Sequence, residues 1–165
     1  MPAGGKVRVL FVCMGNICRS PTAEGVFRHM VQAEGLADRI HVASTGTHDY
    51  HVGRPPDGRA QQAAARRGYD ISPQRAQRVE ARHFVDFDYV LAMDAENLSH
   101  LRQIAPEGLR DKARLFLDFS PGHRGDEVPD PYYGAADGFA RVLDLVEAGA
   151  QGLLEDIKRK LGRQA

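Results

Sequence analysis

The sequence has no long apolar run. Its longest one, Val9 to Met14, covers six residues, whereas a membrane-spanning helix needs about 20 and a signal-peptide core about 7 to 15. We therefore expect neither a membrane span nor a secretory signal.

Cysteine is scarce. The 165 residues contain two, Cys13 and Cys18. A chain of this length buries about 70% of its unfolded surface and does not need a disulfide. This cysteine usage suits a reducing compartment, so we expect the protein in the cytoplasm. Both thiols lie in one short segment, which is the first place to look for chemistry.

Net charge is also absent, because 22 Lys and Arg residues balance 22 Asp and Glu residues. No overall field attracts nucleic acid or anionic lipid, so we expect no nucleic-acid and no membrane partner. With 42% hydrophobic and 27% charged residues, the composition is typical of a globular protein. At about 150 residues per domain, the length predicts a single domain over residues 1–165, with residues 1–5 disordered.

Strand and helix patterns alternate along the chain. Four apolar stretches are typical of strands buried in a parallel sheet, namely 7–12, 40–44, 89–93 and 113–117. Helical spacing predicts helices over about 20–34, 57–67, 94–104 and 139–161, with a turn at 80–84 and loops at 45–56 and 118–137. The alternation predicts a small doubly wound three-layer α/β domain, with a four-stranded parallel sheet and helices on both faces.

Ligands of such sheets bind beyond the carboxyl ends of the strands, where the strand order reverses. The turn after the first predicted strand occupies such a place. It reads Val12-Cys13-Met14-Gly15-Asn16-Ile17-Cys18-Arg19-Ser20. Main-chain N–H groups of a short turn at a helix start converge on an anion, so we expect a phosphate-binding loop there.

The residue types in this turn suit such a loop. Arg19 can place two donors on a phosphate, and Gly15 and Asn16 tolerate left-handed backbone conformations best. The positive surroundings favour the thiolate of Cys13, which the hydroxyl of Ser20 can hydrogen-bond. A Ser or Thr side chain at the start of the following helix is expected to cap it.

A Cys-x5-Arg pattern alone is a weak signal. A cysteine at the end of a buried strand is most often a small core residue, and a lone arginine is most often solvated. Here the preceding strand, the Gly-Asn pair and the Ser-Pro helix start all fit the loop, and their agreement favours the functional interpretation.

The segment Val12 to Glu24 resembles the signature of the low-molecular-weight protein tyrosine phosphatases. Further stretches resemble that family in order along the chain, at 44–47, 50–57, 91–98 and 128–134. The resemblance implies a tyrosine phosphatase that uses no metal or cofactor, with Cys13 as nucleophile and Arg19 as phosphate ligand. It assigns Asp130 as general acid and then base, a role that contributes about 10² to 10⁴ in rate. Its segment alone favours a turn residue of an Asp-Pro loop at Asp130, and the resemblance reverses that preference.

The resemblance also implies the remaining site residues. Substrate-binding positions are Met14, Gly15, Asn16, Ile17, Cys18, Ser20, Tyr50, Tyr132 and Tyr133. Ordinary aromatic packing remains an alternative for the three tyrosines. Ser44 supports the loop through Asn16, and Asp94 orients Arg19. Members of the family have Ser-His where this chain has Ser72-Pro73. One hydrogen bond that supports the phosphate loop is therefore expected to be missing or replaced.

The implied partner is a tyrosine-phosphorylated protein, with a tyrosine kinase as one candidate, since Tyr132 and Tyr133 are themselves possible phosphorylation sites. We expect a monomer or a weak dimer.

Other interpretations fit the sequence less well. The resemblance implies that arsenate reduction on this fold needs further cysteines, and none follows Cys18. It also implies that phosphoarginine phosphatases carry Thr where this chain has Ile17. A phosphotyrosine-binding module without turnover usually loses the nucleophile or the acid, and this chain has both. The stretch 48–51, with two histidines, matches no zinc spacing and is expected to be a polar loop.

Oxidation is predicted to inactivate the protein reversibly by joining Cys13 to Cys18. A thiolate oxidises first to a sulfenic acid, which a neighbouring thiol traps as a disulfide. The alternative is that Cys18 only packs under the loop. After peroxide treatment, thiol reductant should restore the activity of the unmodified protein but not that of Cys18→Ser. Equal recovery of the two proteins would contradict the redox role.

Overall fold

The computed structural model describes residues 6–131 and 137–164. The expectations for Tyr132 and Tyr133, and that of disorder over residues 1–5, lie outside the described residues.

Four parallel strands form the sheet. They are β1 (Val7–Cys13), β2 (Ile40–Gly46), β3 (Tyr89–Ala92) and β4 (Ala113–Leu115), in the spatial order β2-β1-β3-β4. The chain leaves β1 toward one edge and returns to its other side for β3, so the strand order reverses at β1. The predicted α/β fold, with its phosphate loop at this reversal point, is confirmed.

Helices cover both faces of the sheet. They are α1 (Arg19–Ala33), α2 (Gly58–Arg66), α3 (Arg82–Asp86), α4 (Ala95–Ile104) and α5 (Asp137–Gln164). Within the described ranges, none of these helices combines the length and the apolar character needed to cross a bilayer.

The alternating side chains of β1 separate two apolar cores. Phe11 contacts Phe27 of α1 and Phe116 edge-on, with ring centroids 5.8 and 5.1 Å apart. Leu10 and Val12 point to the opposite face, in the core that contains α3 and α4. With both faces buried, β1 is fixed in place and its carboxyl end becomes a rigid support for the loop that follows.

Some predicted boundaries are wrong, each for a physical reason. β2 continues to Gly46 because Thr45 and Gly46 pair with the last two residues of β1, and because Gly46 N–H donates to the carbonyl of Gln77, which is distant in sequence. The predicted fourth strand ends at Leu115, and Phe116–Phe119 is a 3₁₀ turn with a buried apolar side, a pattern that periodicity does not separate from a short strand. The predicted turn at 80–84 includes the start of α3, and α5 extends beyond 139–161 at both ends.

Candidate active site

The phosphate loop, residues 13–19, begins at the carboxyl end of β1 and ends at the first residue of α1. Cys18 is the N-cap residue of α1, and no side chain caps this helix, so the predicted Ser or Thr cap is wrong. The reason is that the helix begins one residue earlier than expected. Ser20 therefore lies inside the first turn, where its hydroxyl reaches Cys13 instead.

Main-chain hydrogen bonds orient the loop. The carbonyls of residues 13, 14 and 17 accept hydrogen bonds of 2.8 to 3.0 Å from N–H groups of Thr47, His48 and Asp57. The described peptide bonds are all trans, and in a planar trans peptide the carbonyl and the next N–H point in opposite directions. The N–H groups of residues 14, 15 and 18 therefore point away from the residues that support the loop. This direction leaves them available to an anion, as the predicted cradle requires.

Asn16 fixes the curvature of the loop. Its φ of 58° makes it the one left-handed residue other than glycine in the described part of the chain. Its Nδ2 donates to Ser20 Oγ at 2.8 Å and to Ser44 Oγ at 3.0 Å, and its Oδ1 accepts from Gln77 N at 2.9 Å. The Asn16–Ser44 pair implied by the resemblance is present. These three bonds hold the unfavourable backbone conformation.

Gly15 has a different role from the predicted one. It is not among the residues with positive φ, so the expected left-handed conformation is wrong for this position. A Cβ at Gly15 would lie 3.0 Å from Cδ2 of His51. The position favours a small residue, because a Cβ there would press against the neighbouring imidazole.

The Cys13 sulfur has two hydrogen-bonding neighbours. Sγ lies 3.0 Å from Ser20 Oγ and 3.3 Å from the N–H of Asn16. Ser20 Oγ already accepts from Asn16 Nδ2, so its own proton is available to Sγ or to the carbonyl of Thr45, 3.3 Å away. With Cys13 ionised, both neighbours can donate to the sulfur, which stabilises the thiolate.

Arg19 is buried, with 3% of its surface exposed. Its Nη1 donates to Asp94 Oδ2 at 2.6 Å and to the carbonyl of Val128 at 3.0 Å. Burial alone would lower the pKa of this guanidinium, but the negative charges of Cys13 and Asp94 outweigh burial and raise the pKa above its usual value. The side chain is therefore a fixed cation, oriented by Asp94 as the resemblance implies.

These groups meet in one cavity. Its lining residues are Cys13, Met14, Gly15, Ile17, Cys18, Arg19, Tyr50, His51 and Asp130. Asp130 Oδ2 lies 3.7 Å from Arg19 Nη2. Tyr50 stands at the rim with 69% of its surface exposed. The predicted residues Asn16, Ser20, Ser44 and Asp94 are not in this lining, and they hold the groups that are.

His51 lines the cavity but is not among the predicted site residues, because the sequence indicates only a polar loop at 48–51. Its position next to Tyr50 is the signal that could have identified it. No group of three or more His, Cys, Asp or Glu residues in 6–131 and 137–164 is arranged to hold a metal ion.

The supporting network includes three further residues that sequence reasoning did not assign to it. Ser44 Oγ donates to Glu24 Oε1 at 2.7 Å and lies 3.4 Å from Gln74 Oε1. Gln77 Nε2 donates to the carbonyl of Ser44 at 3.1 Å. Gln74 directly follows Pro73, so Ser44 has a nearby acceptor where relatives are expected to have a histidine.

Cys18 differs from Cys13 in its surroundings. Burial raises the pKa of the Cys18 thiol, and the negative charges of Asp57 and Cys13 raise it further. Cys18 therefore remains a thiol at neutral pH. Cys13, the other sulfur in the cavity lining, instead has the hydroxyl of Ser20 and the N–H of Asn16 as neighbours.

Comparison with known proteins gives consistent matches. Residues 8–163 match the family described as low molecular weight phosphotyrosine protein phosphatase. The low molecular weight protein-tyrosine-phosphatase of Streptomyces coelicolor is 42% identical over 96% of this chain and 98% of its own. The low molecular weight phosphotyrosine protein phosphatase of Schizosaccharomyces pombe is 42% identical over 92% and 97%.

Solved structures match equally well. YfkJ from Bacillus subtilis superimposes with a TM-score of 0.90 at 37% identity, covering 96% of this chain and 99% of its own. A protein tyrosine phosphatase from Entamoeba histolytica, with Hepes in its active site, also gives a TM-score of 0.90 at 37% identity, covering 94% and 99%.

Replacing Gly46 should displace the phosphate loop. A Cβ at Gly46 would lie 2.7 Å from the carbonyl oxygen of Met14 and 3.1 Å from the N–H nitrogen of Asn16, and main-chain atoms cannot move aside without moving the loop. We expect Gly46→Ala to weaken binding of inorganic phosphate about tenfold or more, measured by calorimetry. Gly58→Ala is the control, since a Cβ there meets nothing within 4 Å. Equal phosphate affinity in both variants would contradict the close support of the loop by β2.

Proposed function

This chain belongs to the low molecular weight phosphotyrosine protein phosphatase family and is an enzyme of that class, and on that basis we propose that it hydrolyses phosphotyrosine in proteins through a cysteinyl-phosphate intermediate, without a metal ion. The observation that carries the proposal is the convergence of Cys13, Arg19 and Asp130 on one cavity.

Cys13 begins the reaction. Its thiolate, stabilised by Ser20 and the N–H of Asn16, attacks phosphorus. The loop N–H groups and Arg19 bind the phosphate oxygens. Their interaction with these oxygens stabilises the transition state. Arg19 can supply the fixed positive charge that a metal ion supplies in other phosphatases.

Asp130 completes the first step by giving a proton to the departing phenol oxygen. In the second step the same carboxylate takes a proton from the water that attacks the phosphocysteine, and the thiolate of Cys13 leaves. The acid is held in place through its neighbour Val128, whose N–H donates to the carbonyl of Met93 at 2.8 Å and whose carbonyl accepts from Arg19. Arg19 therefore links the group that binds phosphate to the segment that carries the acid.

The cavity walls favour an aromatic substrate. Tyr50 offers an exposed ring at the rim, and Ile17 adds an apolar side chain to the lining. A phenyl ring gains from both contacts, whereas the cationic side chain of phosphoarginine gains nothing from Ile17. A tyrosine-phosphorylated protein in the cytoplasm is then the partner of this enzyme.

Cys13→Ser tests the nucleophile directly. The variant should lose turnover of p-nitrophenyl phosphate, because an alcohol is a poor nucleophile at neutral pH, yet it should still bind vanadate through the loop and Arg19. Mass spectrometry of the unmodified protein, denatured during turnover, should detect phosphate on Cys13. Formation of phosphoenzyme in Cys13→Ser, or full activity that disappears when a chelator is added, would contradict the proposal.

Asp130→Asn tests the acid by leaving-group dependence. The variant should lower kcat for phosphotyrosine by roughly 10² to 10⁴, because a phenol with a pKa near ~10 leaves poorly without a proton. The loss should be smaller for p-nitrophenyl phosphate, whose oxygen needs the proton less. The limb of the pH profile that reports a protonated acid should also disappear. An equal loss of kcat for good and poor leaving groups would contradict the acid role and show that Asp130 is a structural turn residue.

A further inference from the structure

A second cavity lies beside the active-site cleft. Its volume is ≈ 300 Å³, and it lies between the segment after β2 and the helix α4. Thr47 and His48 line one side, and Asn97, His100 and Gln103 line the other. Met14 lines both this groove and the catalytic cleft, so the two are neighbours along the phosphate loop.

Two stacked rings form a shared wall between the cleft and the groove. His48 stacks on Tyr50, with ring centroids 5.1 Å apart and an interplanar angle of 25°. Tyr50 lines the cleft and His48 lines the groove. An extended polypeptide advances about 3.3 Å per residue, so one or two residues of chain are enough to pass from one side of this wall to the other.

The wall is itself held in place. Thr47 Oγ1 lies 2.7 Å from His48 Nδ1, and His100 of α4 faces the His48 ring at 5.9 Å. The residues on both sides of the groove are therefore held in position. One side belongs to the segment after β2 and the other to α4.

One residue of the groove lining, Asn97, carries a buried oxygen without a hydrogen-bond partner in the described part of the chain. Asn97 has 3% of its surface exposed, and its Oδ1 has no hydrogen-bond partner among the described residues. Its main-chain N–H, by contrast, donates to Asp94 Oδ1 at 2.8 Å. An unpaired buried acceptor is costly, and this cost favours an amide rotation that brings the oxygen to a ligand N–H. Because the terminal torsion of an asparagine is soft, a rotation of the amide can turn this oxygen toward the groove.

The charges around the groove do not favour an ionic ligand. Glu96 is negative, whereas burial, with smaller contributions from the neighbouring His48 and Arg78, lowers the pKa of His100, which keeps that imidazole neutral at neutral pH. The remaining lining is imidazole, hydroxyl, amide and thioether. This mixture fits an uncharged segment that carries both donors and acceptors, which is the character of a peptide backbone.

We propose that this groove binds the main chain of the substrate next to its phosphotyrosine, with a backbone N–H of the substrate donating to Asn97 Oδ1. The inference rests on the proposed function, because it takes a tyrosine-phosphorylated polypeptide as the substrate. It makes Asn97 and the groove face of α4 determinants of specificity for polypeptides over small aryl phosphates.

The test compares a phosphotyrosine peptide with p-nitrophenyl phosphate as substrates. The measured quantity is the ratio of their kcat/KM values. Asn97→Leu should lower this ratio about 3- to 10-fold, the factor for one neutral hydrogen bond. Gln103→Trp, which fills the groove, should lower the ratio at least as much. Gln151→Trp is the matched control, because Gln151 is an exposed glutamine on α5, which packs on the other face of the sheet.

Peptides methylated on single backbone nitrogens locate the bond. With the unmodified protein, methylation at one position within two residues of the phosphotyrosine should lower kcat/KM by a similar factor. With Asn97→Leu the same methylation should have no effect. Asn97→Leu should not lower the melting temperature, because it removes a buried acceptor that has no partner within the described ranges. If Asn97→Leu nevertheless does not fold, Gln103→Trp decides the test.

The possible failures are distinct. A ratio unchanged in both Asn97→Leu and Gln103→Trp, with normal turnover of both substrates, would overturn the groove as a substrate site and leave the phosphatase activity in place. No turnover of either substrate by the unmodified protein would overturn the proposed function and this inference with it.

Discussion

The buried guanidinium of Arg19 is the constraint on which the site depends. A cation with 3% of its surface exposed must be compensated by nearby negative or polar groups, and here these come from three separate segments. The Cys13 sulfur belongs to the phosphate loop, Asp94 precedes α4, and the carbonyl of Val128 precedes the acid. The need to neutralise one charge therefore brings together segments more than 100 positions apart.

Asn16 affects both the backbone conformation of the phosphate loop and the hydrogen bonding of the Cys13 sulfur. Its left-handed conformation is costly, and the three bonds of its amide side chain offset that cost. One of those bonds occupies an acceptor site of Ser20, which directs the Ser20 proton toward Cys13 or the carbonyl of Thr45. The residue that bends the loop thus also influences how the nucleophilic sulfur is hydrogen-bonded.

Local signals account for what the sequence predicted well. The apolar run of β1 and the cysteine and arginine spacing of the loop are short-range patterns, so the fold and the grouping of Cys13 with Arg19 follow from them. The contacts of Gln77 and Gln74 depend on how a distant segment pairs with β2. No local pattern encodes such pairing. Glu24 illustrates the same limit, because its partner Ser44 lies 20 positions away in sequence, on β2.

The protonated state of Cys18 has a consequence for which anions can enter the cleft. A phosphate monoester arrives as a dianion, and the proposed mechanism places the thiolate of Cys13 in the same cleft. A second thiolate, at Cys18, would add another negative charge to this lining and weaken the attraction of the dianion to Arg19. Because Cys18 is buried and stays protonated, the electrostatic potential of the cleft remains favourable to a phosphate dianion. The Cys18 thiol nevertheless stays in the same cleft as the nucleophile.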